Sequence, residues 1–99
     1  MNLFADIRAL VIDCLDAMVA EGALPAGLSY DNVTAEPPRD AAHGDMATNA
    51  AMVLAKAAKS KPRDIAETLA AKLAEDPRVT SAEVAGPGFL NLRLDQEIW

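Results

Sequence analysis

The residues best suited to chemistry lie in the stretch GPGFLNLRL, positions 86–94. In an extended chain alternate side chains point to opposite faces, so Leu90, Leu92 and Leu94 form one row and Phe89, Asn91 and Arg93 the other. The leucine row is a core face. The second row places an aromatic beside an amide and a guanidinium. An aromatic ring offers a stacking platform to any base, an amide can both donate to and accept from a base edge, and arginine pairs with phosphate or stacks. On the open face of a sheet such a row reads unpaired nucleotides. The same exposed phenylalanine could instead be covered by a neighbouring domain or a protein partner, and the residues alone leave both readings standing.

Other chemistry has less to build on. Cys14 and His43 are the only cysteine and the only histidine, so a nucleophile–base pair would have to use both. Cys14 falls on an apolar helical stripe, where a thiol behaves as a small hydrophobe of raised pKa. His43 is flanked by Asp40 and Asp45, but zinc sites need three or four His or Cys ligands, and no hard-cation loop spacing is present. No metal site is expected. The HGD triplet, His43–Gly44–Asp45, reads as a helix entry, with Gly44 allowing a positive φ and Asp45 capping the helix that follows. The GPG of 86–88 is too short for a phosphate loop and reads as a turn.

Charge narrows the field further. The net charge is −6 over 99 residues, which argues against a general nucleic-acid binder, since such proteins carry a basic footprint. Four of the nine basic residues, Lys56, Lys59, Lys61 and Arg63, nonetheless crowd into eight positions, while Asp6, Asp13, Asp16 and Glu21 make the first segment acidic. The basic cluster is either a solvated helix end or a locally basic surface able to meet phosphates. One cysteine excludes an internal disulfide, and neither a secretory leader nor an apolar run of membrane-spanning length is visible, so a cytoplasmic location is expected.

These residues need elements to position them, and the length allows one domain. Apolar residues from Leu3 and Phe4 to Met18 and Val19 follow the three–four spacing of a helix over 2–21, capped by Asn2 and ended by Gly22. YDNVTAE reads as a short strand with Val33 and Ala35 inward, closed by Pro37 and Pro38. A second helix is expected from about Met46 to Lys59, and a third from the Ser60 cap and Pro62 to about Glu75, buried through Ile65, Leu69 and Leu73. VTSAEVA and FLNLRL then form an antiparallel hairpin around GPG. DQEIW looks like the cap and first turn of a further helix. The expected class is α+β, with helices packed on one face of a small, mostly antiparallel sheet of three to four strands.

Taken together, EPPRDAAHGDMATNAAMVLAKAAKSKPRDIAETLAAKL and VAGPGFLNLRL resemble the N-terminal additional domain of arginyl-tRNA synthetase, a class I aminoacyl-tRNA synthetase. The pieces that carry the likeness are the HGD-x-x-x-N pattern of His43, Gly44, Asp45 and Asn49, the alanine-rich helix, and GPGFLNLRL. The resemblance implies a non-catalytic module at the outer corner of the tRNA for arginine, contacting the D-loop, where an unpaired base rests against an aromatic on the sheet. Phe89 matches that aromatic and Asn91 the neighbouring amide. Some members carry a side-chain amide where this chain has Gly86, so contact there would use backbone atoms. His43, Gly44, Asp45 and Asn49 match a structural signature. The resemblance further implies that residues 1–94 form the recognition domain and 95–99 begin the link to a catalytic domain. The ATP and Mg of the parent reaction, and its anticodon-binding domain, lie outside this chain.

Overall fold

The computed structural model describes residues 2–95. It contains helices α1 (Leu3–Ala20), α2 (Ala50–Ala58) and α3 (Pro62–Leu73), and strands β1 (Ala35–Glu36), β2 (Met46–Thr48), β3 (Val79–Ala85) and β4 (Phe89–Leu94), with a single 3-10 turn at Ala41–His43. The four strands form one antiparallel sheet in the order β1-β2-β4-β3. Helix α3 lies against β3 and β4, α2 against β4, and α1 against α3 and β1. The architecture is therefore α+β, with helices on the leucine face of the sheet.

The core follows from the periodicities. Ile7, Leu10, Val11, Cys14, Leu15 and Met18 of α1 meet Ile65, Leu69 and Leu73 of α3, and Leu90 and Leu92 are fully buried beneath them. Asn2 caps α1 by accepting from the Ala5 N–H at 3.2 Å, and Gly22 takes φ +82° just past its end. Val33 and Ala35 point inward as expected, although only Ala35–Glu36 pair as strand. Phe4 departs from the stripe and stays 45% exposed.

The largest correction concerns Met46–Thr48. The segment is not the first turn of a helix but strand β2, with Met46 opposite Leu92 and Thr48 opposite Leu90. Its pattern, Met46 and Thr48 buried and Ala47 half-buried, has the period of two that a strand requires. Alanine at positions 47, 50 and 51 hides that alternation in a sequence read by helical spacing. β2 also satisfies one edge of β4, whose backbone groups would otherwise be buried without partners. Asp45 is consequently no helix cap. Helix α2 begins at Ala50, with Asn49 in the cap position but making no side-chain cap bond.

Smaller corrections fall at the next corner. The cap position of α3 belongs to Lys61, not Ser60, whose hydroxyl donates to the Ala58 carbonyl at 3.3 Å. Pro62 occupies the first turn and Asp64 lies there too. The helix ends at Leu73 rather than Glu75. The expected turn of helix in DQEIW falls mostly on residues 96–99, outside the described residues.

Candidate nucleic-acid interface

β4 is an inner strand, hydrogen-bonded to β2 on one side and β3 on the other. A residue there has its backbone fixed from both edges, so side chains on its open face stand on a rigid platform. The register sets the company they keep. Asn91 lies opposite Ala47 on β2 and Glu83 on β3, with Glu36 beyond Ala47, and Phe89 lies opposite Ala85. Because Ala47 and Ala85 are small, nothing on the sheet covers the Phe89 ring, which remains 44% exposed.

Phe89, Asn91, Ala47, Ala85 and Glu36 line a groove of about 650 Å³ on the face away from the helices. The β1–β2 connection contributes Pro37, Pro38, Arg39 and His43, and the β3–β4 turn contributes Gly86. A volume of this size holds a planar heterocycle with its sugar. The pairing of an aromatic plane with an amide is what base stacking and edge recognition need. Sequence reasoning found Phe89, Asn91 and Gly86. It missed Glu36, Arg39 and Ala47, because reading Met46–Thr48 as helix left the 37–45 connection with no strand to lean over. The signal that was present is Pro37–Pro38, whose fixed φ stiffens the connection immediately before Arg39.

Arg93 shares the open face but does not line the groove. Its guanidinium donates to the Ala42 carbonyl at 2.7 Å, which holds the Ala41–His43 turn against β4. The basic cluster sits at the other end. Arg63 donates to the Gly86 carbonyl at 2.7 Å. Pro62 packs so closely on Gly88 that a Cβ at Gly88 would lie 2.7 Å from the Pro62 Cβ. The α2–α3 corner is thus tied to the β3–β4 turn, which brings Arg63 to the end of the groove. Lys56, Lys59 and Lys61 are exposed nearby in sequence but do not line it.

The HGD-x-x-x-N residues build the other rim. Gly44 takes φ +136° and runs against β4, leaving no room for a side chain. Asp45 accepts from the Leu94 N–H at 2.8 Å. Asn49 accepts from the Thr34 N–H at 2.8 Å and donates to the Asn32 carbonyl at 3.1 Å, fixing the approach to β1. His43 is left exposed at the groove wall.

Cys14 and Asp76 lie outside the groove. Burial first, then the nearby carboxylates, pushes the Cys14 thiol up, and Cys14 sits in the core on the helix side of the sheet while His43 lies on the other. The two do not form a pair. Hydrogen bonds from Arg78 hold the Asp76 carboxyl below its usual range, and Asp76 is no part of the groove. Among the described residues no three His, Cys, Asp or Glu side chains are grouped to hold a metal ion, and no helix is long and apolar enough to cross a membrane. The groove offers stacking and hydrogen bonds.

Comparison with known proteins agrees in extent with this geometry. Residues 5–94 match the family described as "Arginyl tRNA synthetase N terminal domain". Over all 99 residues the chain is 81% identical to an "Arginine--tRNA ligase" of Ruegeria sp. (strain TM1040), 74% to that of Paracoccus denitrificans and 65% to that of Jannaschia sp., in each case covering 17% of the relative. The chain therefore spans about a sixth of the length of these curated relatives. The matched span holds all but the first two residues of α1 and every later element through β4, and with them the groove and both of its rims; the chain belongs to the arginyl-tRNA synthetase N-terminal domain family.

Proposed function

We propose that this chain, through residues 1–94, is the tRNA-recognition module of an arginine–tRNA ligase and seats an unpaired D-loop base of the tRNA for arginine on Phe89. The observation that carries the reading is a 44% exposed phenylalanine on an inner strand, beside Asn91 in a groove that small neighbours keep open. Asn91 reads the base edge, and Gly86 offers backbone atoms only, one lone pair of its carbonyl being taken by Arg63. Lys56, Lys59, Lys61 and Arg63 meet the flanking backbone at one end, while Arg93 supports the site by holding the Ala41–His43 turn through the Ala42 carbonyl. Residues 95–99 lead toward the catalytic and anticodon-binding domains, which bind ATP, magnesium and arginine and attach the amino acid in the cytoplasm.

The acidic charge fits this division of labour. With a net charge of −6 the module adds a base-directed contact, while most phosphate affinity comes from the rest of the enzyme. It places the tRNA more than it holds it.

The test is Phe89→Ala in the full-length enzyme, assayed with normal tRNA and with tRNA lacking the D-loop base. Loss of a stacked base removes roughly 1–3 kcal/mol, so kcat/KM for normal tRNA should fall about 5- to 150-fold, with ATP and arginine binding unchanged. The base-deleted tRNA should show little further loss. An equal drop on both substrates would favour the second reading, in which a partner domain covers the Phe89 face.

A further inference from the structure

We propose that Arg39 is the phosphate-contacting residue of the groove, engaging the backbone phosphate of the nucleotide whose base rests on Phe89; the assignment rests on the groove being a nucleotide seat. A base reaches an acidic domain with its phosphate attached, and a cation within a nucleotide's reach offsets the repulsion that phosphate meets. Arginine suits the task because its planar fork pairs two phosphate oxygens at once.

The arginines differ in what they already hold. Arg8 donates to the carbonyls of Val33 and Tyr30, both at 2.8 Å. Arg63 is held by Gly86, Arg78 by the Asp76 carboxylate, and Arg93 by Ala42. Among the described residues Arg39 alone of the five has a guanidinium with neither hydrogen bond nor ion pair, and it is the one that lines the groove with Phe89 and Asn91. It also follows Pro37–Pro38, so the backbone that carries it is stiff, and less order must be imposed when an anion arrives.

Glu36 gives the seat a direction. Its carboxylate lines the same groove yet makes no ion pair with Arg39, so the guanidinium is left for an external anion. A phosphate beside Glu36 would meet repulsion, whereas beside Arg39 it gains a bidentate partner. The nucleotide is thereby oriented with its phosphate toward the β1–β2 connection.

The experiment uses the full-length enzyme and the salt dependence of kcat/KM for tRNA. Arg39→Gln, Arg93→Gln and Phe89→Ala are compared with the parent at several potassium chloride concentrations. Each phosphate contact contributes about 0.7–0.9 to the slope of log(kcat/KM) against log salt. Arg39→Gln should flatten the slope by that amount and lower kcat/KM about 5- to 20-fold at low salt, through KM, with the thermal midpoint unchanged. Phe89→Ala should lower kcat/KM at an unchanged slope, and Arg93→Gln should lower the thermal midpoint at an unchanged slope. A full slope in Arg39→Gln, with Phe89→Ala behaving as described, overturns the phosphate assignment and leaves the base seat standing. No effect of Phe89→Ala removes the base seat itself, and with it the assignment built on it.

Discussion

The backbone N–H of Leu94 donates to Oδ2 of Asp45 at 2.8 Å, while the Asp45 N–H donates to the Leu92 carbonyl at 2.8 Å. The two bonds run in opposite directions, and the first joins residues 49 positions apart in sequence. β2 ends its pairing with β4 at Met46–Leu92, and Asp45 carries the ladder one step further, its carboxylate taking the place of a strand carbonyl. The HGD triplet is thus a strand entry that anchors the groove's rim to the strand bearing Phe89 and Asn91.

Removing that carboxylate should fray the end of β4. Asp45→Ala deprives a half-buried N–H of a charged acceptor, which costs about 1–3 kcal/mol. Urea unfolding should show the loss, and amide exchange at Leu94 should accelerate more than at Leu90. Unchanged exchange at Leu94 would contradict the assigned role.

Gly44→Ala should be harder to accommodate. A Cβ there would lie 2.7 Å from the Leu92 carbonyl oxygen, and φ +136° is unsuited to any side chain. Neither the inner strand nor its carbonyl can move away cheaply. Overpacking and backbone strain together predict a loss of about 2–4 kcal/mol, read as a lower urea midpoint. The Phe89 platform should shift with it, so tRNA use should fall even where the protein stays folded.

How much of this was legible in the sequence differs from element to element. Helix α1 and the β3–β4 hairpin could be read because long, regular spacings of Leu, Val and Ile leave one period standing. The leucine row and the outward Phe89 followed from alternation alone. Met46–Thr48 could not be read, since three residues running straight into Ala50 and Ala51 carry no distinct period, and their strand state is imposed by pairing with β4. That one error made Asp45 a helix cap instead of the residue that leads into β2, and concealed Glu36, Arg39 and Ala47 as groove residues. The bonds of Arg93 and Arg63 to distant carbonyls are likewise products of tertiary placement, which no local pattern announces.

Acid should weaken the domain partly through Asp76. Its carboxyl is held below its ordinary value of 3.8, chiefly by side-chain hydrogen bonds from Arg78, then by the Arg78 backbone N–H. A group whose pKa is lower folded than unfolded stabilises fully above the unfolded value, and that contribution is lost as pH falls through the folded one. Asp76→Asn should therefore cost about 1 kcal/mol at neutral pH. The gap between variant and parent in urea unfolding should close as pH drops below 3.8. A gap that widened on acidification would reverse the sign and exclude this pairing as its source.

Filling the groove tests the seat without touching the ring. Ala47 lies opposite Asn91 on the open face and is half-buried, so Ala47→Leu puts a branched side chain where the base would rest, on a strand position that tolerates it. Stability should stay within about 0.5 kcal/mol of the parent, because no core residue is disturbed. Since the space that admits the base is gone, kcat/KM for tRNA should fall by the worth of the stacking contact, about 5- to 150-fold, as for Phe89→Ala. The two changes remove one contact by different means, so combining them should cost little more than either alone. With tRNA lacking the D-loop base, parent and Ala47→Leu enzymes should perform alike. If a protein domain covered this face instead, Ala47→Leu would disturb that packing and lower activity equally on both tRNAs, with a reduced melting temperature of the full-length enzyme.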